Sequence, residues 1–191
     1  MTDERSADPG TVEIPADVEA VVYDLDGTLV RLAVDWVELE IEIQAVLRES
    51  GIEPGDRDAW ELLDEAEAAG IPEVGSLIAA AERDGAHAST RLPLADDIDH
   101  GLPTAVCSLN CEAACRIALD THDLGGSIGT VVGRDSVAER KPAPEPLLAA
   151  VEGLGARTER TLFVGDSSSD ETTADRAGTR FAYVGDGPTT L

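Results

Sequence analysis

Five short apolar runs, at 18–23, 104–107, 128–132, 161–164 and 180–184, constrain this chain more than any other feature, because each is brief enough to be a buried parallel strand. Between the later runs lie segments with helical spacing, at 110–123, 144–154 and 168–177. The second carries Leu147, Leu148, Val151 and Leu154 on one face, and Gly178 is placed to end the third. Strand and helix alternating in this way predict a doubly wound α/β fold, with a five-stranded parallel, Rossmann-like sheet. Ligand sites in such sheets lie beyond the carboxyl ends of the strands. Asp24, Ser108 and Asp166 all fall at such ends.

Residues 32–97 interrupt the alternation. Residues 37–43 alternate with period two, yet Trp36, Leu39, Ile43, Val46 and Leu47 also form a helical stripe, and its length favours a helix. Further helical stretches at 57–69 and 73–84 predict a small helical cap, inserted after the first strand and carrying no core strand. The core is then made of 17–31 and 98–191, and the polar, acidic residues 1–16, with two prolines, read as a mobile tail.

Charge narrows the partners. The chain has 39 acidic residues against 14 basic ones and a formal net charge of -25, so nucleic acid and anionic membrane surfaces, which need basic patches, are not expected to bind. No run is long enough to span a bilayer, and the opening MTDERSADPG has neither the apolar core nor the basic flank of a signal peptide, which predicts a cytoplasmic protein. Thirteen of the basic residues are arginine and one, Lys141, is lysine. Excess acid with almost no lysine resembles the composition of proteins from salt-accumulating halophiles, in whose molar salt the Debye length falls to about 3 Å. Cys107, Cys111 and Cys115 are odd in number and clustered, which argues against a disulfide framework and for small buried hydrophobes. Trp36 and Trp60 are expected to pack the insertion, and the acidic run at 96–100 to form a solvated connector.

In so acidic a chain the pair in Asp24-Leu25-Asp26-Gly27-Thr28 is not distinguished by its charge. An EF-hand loop does not fit, because glycine stands fourth from Asp24 and not sixth. Three other features accompany the pair. Gly165-Asp166-Ser167-Ser168-Ser169-Asp170 follows the fourth strand and opens a helix, Ser108 ends the second strand, and Lys141-Pro142 lies between the third strand and the next helix. In order and spacing these resemble the four motifs of the haloacid dehalogenase superfamily, and the region from about 133 to 178 is similar to its phosphoglycolate phosphatase-like members. The sole lysine stands where that chemistry calls for a compact ammonium beside a phosphoryl group.

The resemblance implies a phosphomonoester hydrolase acting on a small phosphorylated metabolite. Asp24 would attack phosphorus to give an aspartyl-phosphate, and Asp26 would serve as acid and then base. Mg²⁺ would be held by Asp24, the backbone carbonyl of Asp26, Asp166 and Asp170. Ser108 and Lys141 would hold the phosphoryl oxygens, with Asn110 beside them, and Thr28 would brace the turn. One departure leaves two readings open: relatives often place Asn directly after the Ser or Thr, whereas here it is Asn110, so either Asn110 is a helix N-cap or the motif is offset. A phosphomutase would share every core motif, and a non-catalytic phosphate- or metal-binding protein is a further class. Asp26 argues against dehalogenation, and an insertion without lysine argues against phosphonate cleavage through a Schiff base.

Overall fold

A computed structural model describes residues 12–185. Its elements in chain order are β1 (Ala20–Tyr23), β2 (Val30–Arg31), α1 (Trp36–Glu49), α2 (Ala59–Ala69), α3 (Pro72–His87), β3 (Thr90–Arg91), β4 (Thr104–Cys107), α4 (Glu112–Thr121), β5 (Thr130–Val132), α5 (Glu145–Gly153), β6 (Thr161–Gly165), α6 (Ser168–Ala177) and β7 (Arg180–Tyr183). Five strands form one parallel sheet in the order β5-β4-β1-β6-β7. The strand order reverses at β1, so the crevice beyond its carboxyl end is flanked by β4 on one side and β6 on the other.

Alternate residues of each strand serve opposite faces of the sheet. Val21 and Tyr23 of β1, Val106 of β4 and Val164 of β6 pack with Ala114, Cys115, Ala118 and Leu119 of α4. Val22, Ala105, Cys107 and Phe163 face the other way, onto Leu147, Ala150 and Val151 of α5 and Ala174 of α6. Both faces of β1 are therefore dry, and each large apolar side chain so buried contributes roughly 1.5–3 kcal/mol. All three cysteines are buried and free. Val12 and Ile14, assigned by sequence to the polar tail, pack on the α4 side of the core, so the chain is held there from residue 12; residues 1–11 of the expected tail lie outside the described residues.

Helices α1–α3 bury a cluster of their own: Leu39, Ile43 and Leu47 of α1, Leu62, Leu63 and Ala66 of α2, and Val74 and Ile78 of α3. The period-two stretch is helix, as length indicated, and its surplus apolar residues Val37 and Ile41 are 72% and 63% exposed. Trp36 and Trp60 pack on each other at 5.8 Å between ring centroids. One element was not foreseen: β2 and β3 pair antiparallel, Val30 opposite Arg91 and Arg31 opposite Thr90, closing a two-stranded ribbon where the chain leaves and re-enters the core. Two residues per strand are too few to show a period. Within the acidic connector Asp96 and Asp99 are exposed, but Ile98 is buried in the core. No described helix is long and apolar enough to cross a membrane.

Candidate active site

The turn after β1 sets the site. Asp24 N–H donates to Val164 O at 2.8 Å, extending the pairing with β6 one residue beyond the strand. The chain then folds back tightly, with the N–H groups of Leu29 and Val30 donating to Leu25 O at 2.9 and 3.0 Å and Gly27 N–H donating to Val30 O at 2.8 Å. Gly27 has φ +90°, and a Cβ there would lie 2.1 Å from Asp166 Oδ2. The position thus requires glycine twice, for its backbone and for the room it leaves a carboxylate. We expect Gly27→Ala to lose most activity and divalent-cation affinity while retaining the fold, which calorimetric metal titration and circular dichroism would check.

Asp24 and Asp26 are separated by this turn. Asp24 is buried, and each of Asp24, Asp166 and Asp170 places a carboxylate oxygen within 4.8 Å of the other two. The carboxylate of Asp26 is outside that cluster: its Oδ1 accepts from Leu32 N–H at 2.9 Å. A side-chain role for Asp26 as a metal ligand is therefore not what the geometry provides, although its backbone carbonyl lies on the same turn.

Lys141 reaches in from the segment between β5 and α5. Its Nζ donates to Asp24 Oδ1 at 2.7 Å, to Asp170 Oδ1 at 2.5 Å and to Cys107 O at 3.2 Å, and it stands 5.5 Å from the centre of the Phe163 ring. Asp170 is held at its other oxygen: Oδ2 accepts from Ser167 N–H at 3.1 Å and from Ser167 Oγ at 2.6 Å, the capping box that starts α6. A sequence signal for a helix start is thus also the device that aims Asp170 at Lys141.

Burial and neighbouring charge act together here. Burial pushes Asp24 up to about 7 against the pull of Lys141, and burial likewise raises Asp26 and Asp166. Burial alone would lower Lys141, but the carboxylates of Asp170 and Asp24 outweigh it and hold the ammonium above its usual range. The three hard oxygen donors suit a divalent cation of the Mg²⁺ kind, and one ammonium does not offset three carboxylates.

Ser108 lies at the end of β4, its N–H donating to Val132 O at 2.9 Å and its Oγ to Asn110 Oδ1 at 3.0 Å. Asn110 is not the N-cap of α4. That position is Cys111, whose side chain caps nothing, and the Asn110 amide instead joins Ser108 to Glu82, donating to Glu82 Oε1 at 3.4 Å. Thr28 is fully buried, yet its hydroxyl bonds to nothing among the described residues, so the backbone and not this side chain braces the turn. Two residues of this region were not anticipated: Glu82 of α3, fully buried, and Arg134, which pairs with it at 2.5 Å. Glu82 continues the buried stripe of Val74 and Ile78 at four-residue spacing, and an acid on an apolar helix face was a readable signal.

Comparison with known proteins follows this geometry. The family model for haloacid dehalogenase-like hydrolases matches residues 96–184. A phosphoglycolate phosphatase of Cereibacter sphaeroides is 30% identical over 194 aligned positions, which cover 87% of this chain and 85% of that protein. The chain belongs to the haloacid dehalogenase-like hydrolase family. A second phosphoglycolate phosphatase, from Aquifex aeolicus, is 39% identical over 84 residues, and there the match spans only 39% of the relative's length and 44% of this chain. The crystal structure of a HAD-superfamily hydrolase, subfamily IA, variant 1, from Geobacter sulfurreducens has a TM-score of 0.58 and 25% identity, covering 90% of this chain and 92% of that one. The family's α/β architecture accounts for the parallel sheet and the position of the crevice.

Proposed function

We propose that this family member is a Mg²⁺-dependent phosphomonoester hydrolase acting through an aspartyl-phosphate, with a small phosphorylated metabolite of the phosphoglycolate kind as substrate. The observation that carries the reading is the position of Lys141, bonded at once to Asp24 and Asp170 at the carboxyl ends of the strands, where the carboxylates of Asp24, Asp166 and Asp170 meet. The names of the relatives support the substrate class. The acid excess fits a protein that works in concentrated salt.

In this reading an oxygen of Asp24 attacks phosphorus, the P–O bond to the leaving group breaks, and Asp26 delivers a proton to the departing oxygen. Water then attacks phosphorus and gives its proton to Asp26, the bond to Asp24 breaks, and orthophosphate leaves. Burial, which raises Asp26, favours the protonated form needed for the first step. Lys141 holds Asp24 in place and lends positive charge to the phosphoryl oxygens, and the Ser108 hydroxyl, which donates to Asn110 Oδ1 in the free site, would turn to donate to one of them. Asp24, Asp166 and Asp170 would hold the cation, which offsets the repulsion between an anionic nucleophile and a phosphate dianion. The inserted helices act as a small cap over 32–97, with the ribbon of β2 and β3 at its base. Assay in molar KCl against phosphoglycolate, sugar phosphates, nucleotides and an aryl phosphate tests the proposal; no turnover with any divalent cation would sink it.

The carboxylates also predict how metal and pH interact. Without a cation, the folded protein keeps on Asp24 a proton that the unfolded chain has released, because burial raises this group from 3.8 to about 7. Its contribution to stability is therefore fully present at low pH and is lost as pH rises across that interval. A cation replaces the proton, so Mg²⁺ should raise the melting temperature more at about pH 8 than at about pH 5. Equal shifts at both pH values would mean that other groups bind the metal.

A further inference from the structure

Glu82 is the buried acid that the hydrolytic scheme does not use. It belongs to the inserted helices, yet all of its described partners are in the core. Its Oε2 accepts from Cys111 N–H at 3.0 Å, its Oε1 accepts from the Asn110 side chain at 3.4 Å, and both oxygens accept from Arg134 Nη1 at 2.5 Å. Arg134 in turn donates to Leu109 O through the same nitrogen at 3.2 Å and to Asn110 O through its backbone N–H at 3.1 Å. Its guanidinium stands 5.7 Å from the centre of the Trp60 ring, on α2. Every residue from Leu109 to Cys111 is thus tied to Glu82 directly or through Arg134. The first turn of α4 lacks a capping side chain of its own, and carboxylates from elsewhere replace it: Glu82 at Cys111 N–H, and Asp135 at Glu112 N–H, at 2.7 Å.

The consequence falls on Ser108. Its Oγ donates to Asn110 Oδ1 at 3.0 Å and accepts from Asn110 N–H at 3.2 Å, so the place of the Ser108 oxygen is fixed by Asn110, and Asn110 is held by Glu82. We propose that Glu82 is the positioning residue of the phosphate-binding loop: an inserted helix supplies the carboxylate that orders residues 108–111 and thereby fixes the Ser108 oxygen where its hydrogen can turn from Asn110 Oδ1 to a phosphoryl oxygen. The inference rests on reading the site as one for phosphomonoesters. It makes the insertion a working part of the phosphate site even though the insertion contributes none of the four motifs. Leaving Arg134 buried without its partner would destabilise the fold, so the informative variants keep the charges balanced.

Glu82→Asp retains a charge opposite Arg134 but is one methylene short of serving Arg134, Asn110 and Cys111 together. Glu82→Gln/Arg134→Met removes both charges and serves where the first variant does not fold. Calorimetric titration of the Mg²⁺-loaded proteins with inorganic phosphate is the readout, since the Kd does not depend on how much of a sample is active. We expect the Kd to rise about tenfold in either variant, the loss of one charge-assisted contact. In a Ser108→Ala background the Glu82→Asp change should move the Kd less than about twofold, because the two act through one hydroxyl. An unchanged Kd together with a lowered melting temperature would reduce Glu82 to a structural role and overturn the proposal, as would an effect that persists undiminished without the Ser108 hydroxyl. Turnover by the unaltered protein judges the hydrolase reading separately: a protein that binds phosphate and hydrolyses no monoester sinks that reading, while the Kd comparison still decides the role of Glu82.

Discussion

Asp24→Asn is expected to abolish turnover, by about 10⁴-fold or more, while leaving the protein folded. The two halves of this result have different origins. In the proposed mechanism asparagine cannot form the acyl-phosphate, so the chemical step would be lost. Its Oδ1 can still accept from Lys141 Nζ, which approaches Asp24 to 2.7 Å, so the contact that holds the turn is kept. Burial already drives Asp24 toward its neutral form, and Asn is neutral throughout. In the absence of metal, therefore, the variant should melt no lower than the unaltered protein at about pH 8, and it should bind Mg²⁺ more weakly. Steady-state assay with metal titration checks both, and turnover within tenfold of the unaltered protein would remove Asp24 as nucleophile.

The second large effect concerns the chain's only lysine. Above the value of about 7 to which burial raises Asp24, Lys141→Met leaves the carboxylates of Asp24 and Asp170 facing each other without a cation, and we expect a loss of about 3–5 kcal/mol in metal-free protein at about pH 8 and higher. For a chain of this size that corresponds to a fall of roughly 10 °C in melting temperature. The loss should shrink toward pH 5, because Asp24, which burial raises, then carries a proton, and Mg²⁺ should recover part of it by supplying charge to the same oxygens. Lys141→Arg should not restore the protein: the site is only 5% exposed and sized for an ammonium that donates to Asp24, Asp170 and Cys107 O at once, and a planar guanidinium cannot reproduce those directions. Thermal melts of the three proteins across pH decide this. A methionine variant as stable as the parent at every pH would mean that the contacts of Lys141 with Asp24 and Asp170 add nothing to the stability of the fold.

Much of the fold was legible because it depends on local pattern. The runs at 104–107 and 161–164 are β4 and nearly all of β6, since a strand buried on both faces must be continuously apolar. Helix α6 spans the predicted residues because a capping box opens it at Ser167 and Gly178, in the left-handed conformation, closes it. The ribbon of β2 and β3 escaped notice because its partners are far apart in sequence and each contributes two residues. Within the site, Asp24, Lys141, Asp166 and Asp170 could be named from motif order, and the structure brings all four together. Asn110 could be named but not understood. Its task as a link between Ser108 and Glu82 depends on a helix that lies 28 positions earlier in the chain.

The sequence by itself determined the strands and helices, because periodicity and capping act over a few residues, and the resemblance of its motifs to those of the family singled out the acids worth attention. That the carboxylate of Asp26 stands apart from those of Asp24, Asp166 and Asp170 was decided only by the tertiary structure. The parallel crossovers carry Asp24, Lys141 and Asp170 from distant positions to distances of 2.5–2.7 Å. They also place Glu82 of the insertion against the loop that holds Ser108. Charge and burial acquire chemical meaning at such distances, since a carboxylate alone in water is solvated surface and the same group, desolvated beside an ammonium and two further carboxylates, is a site.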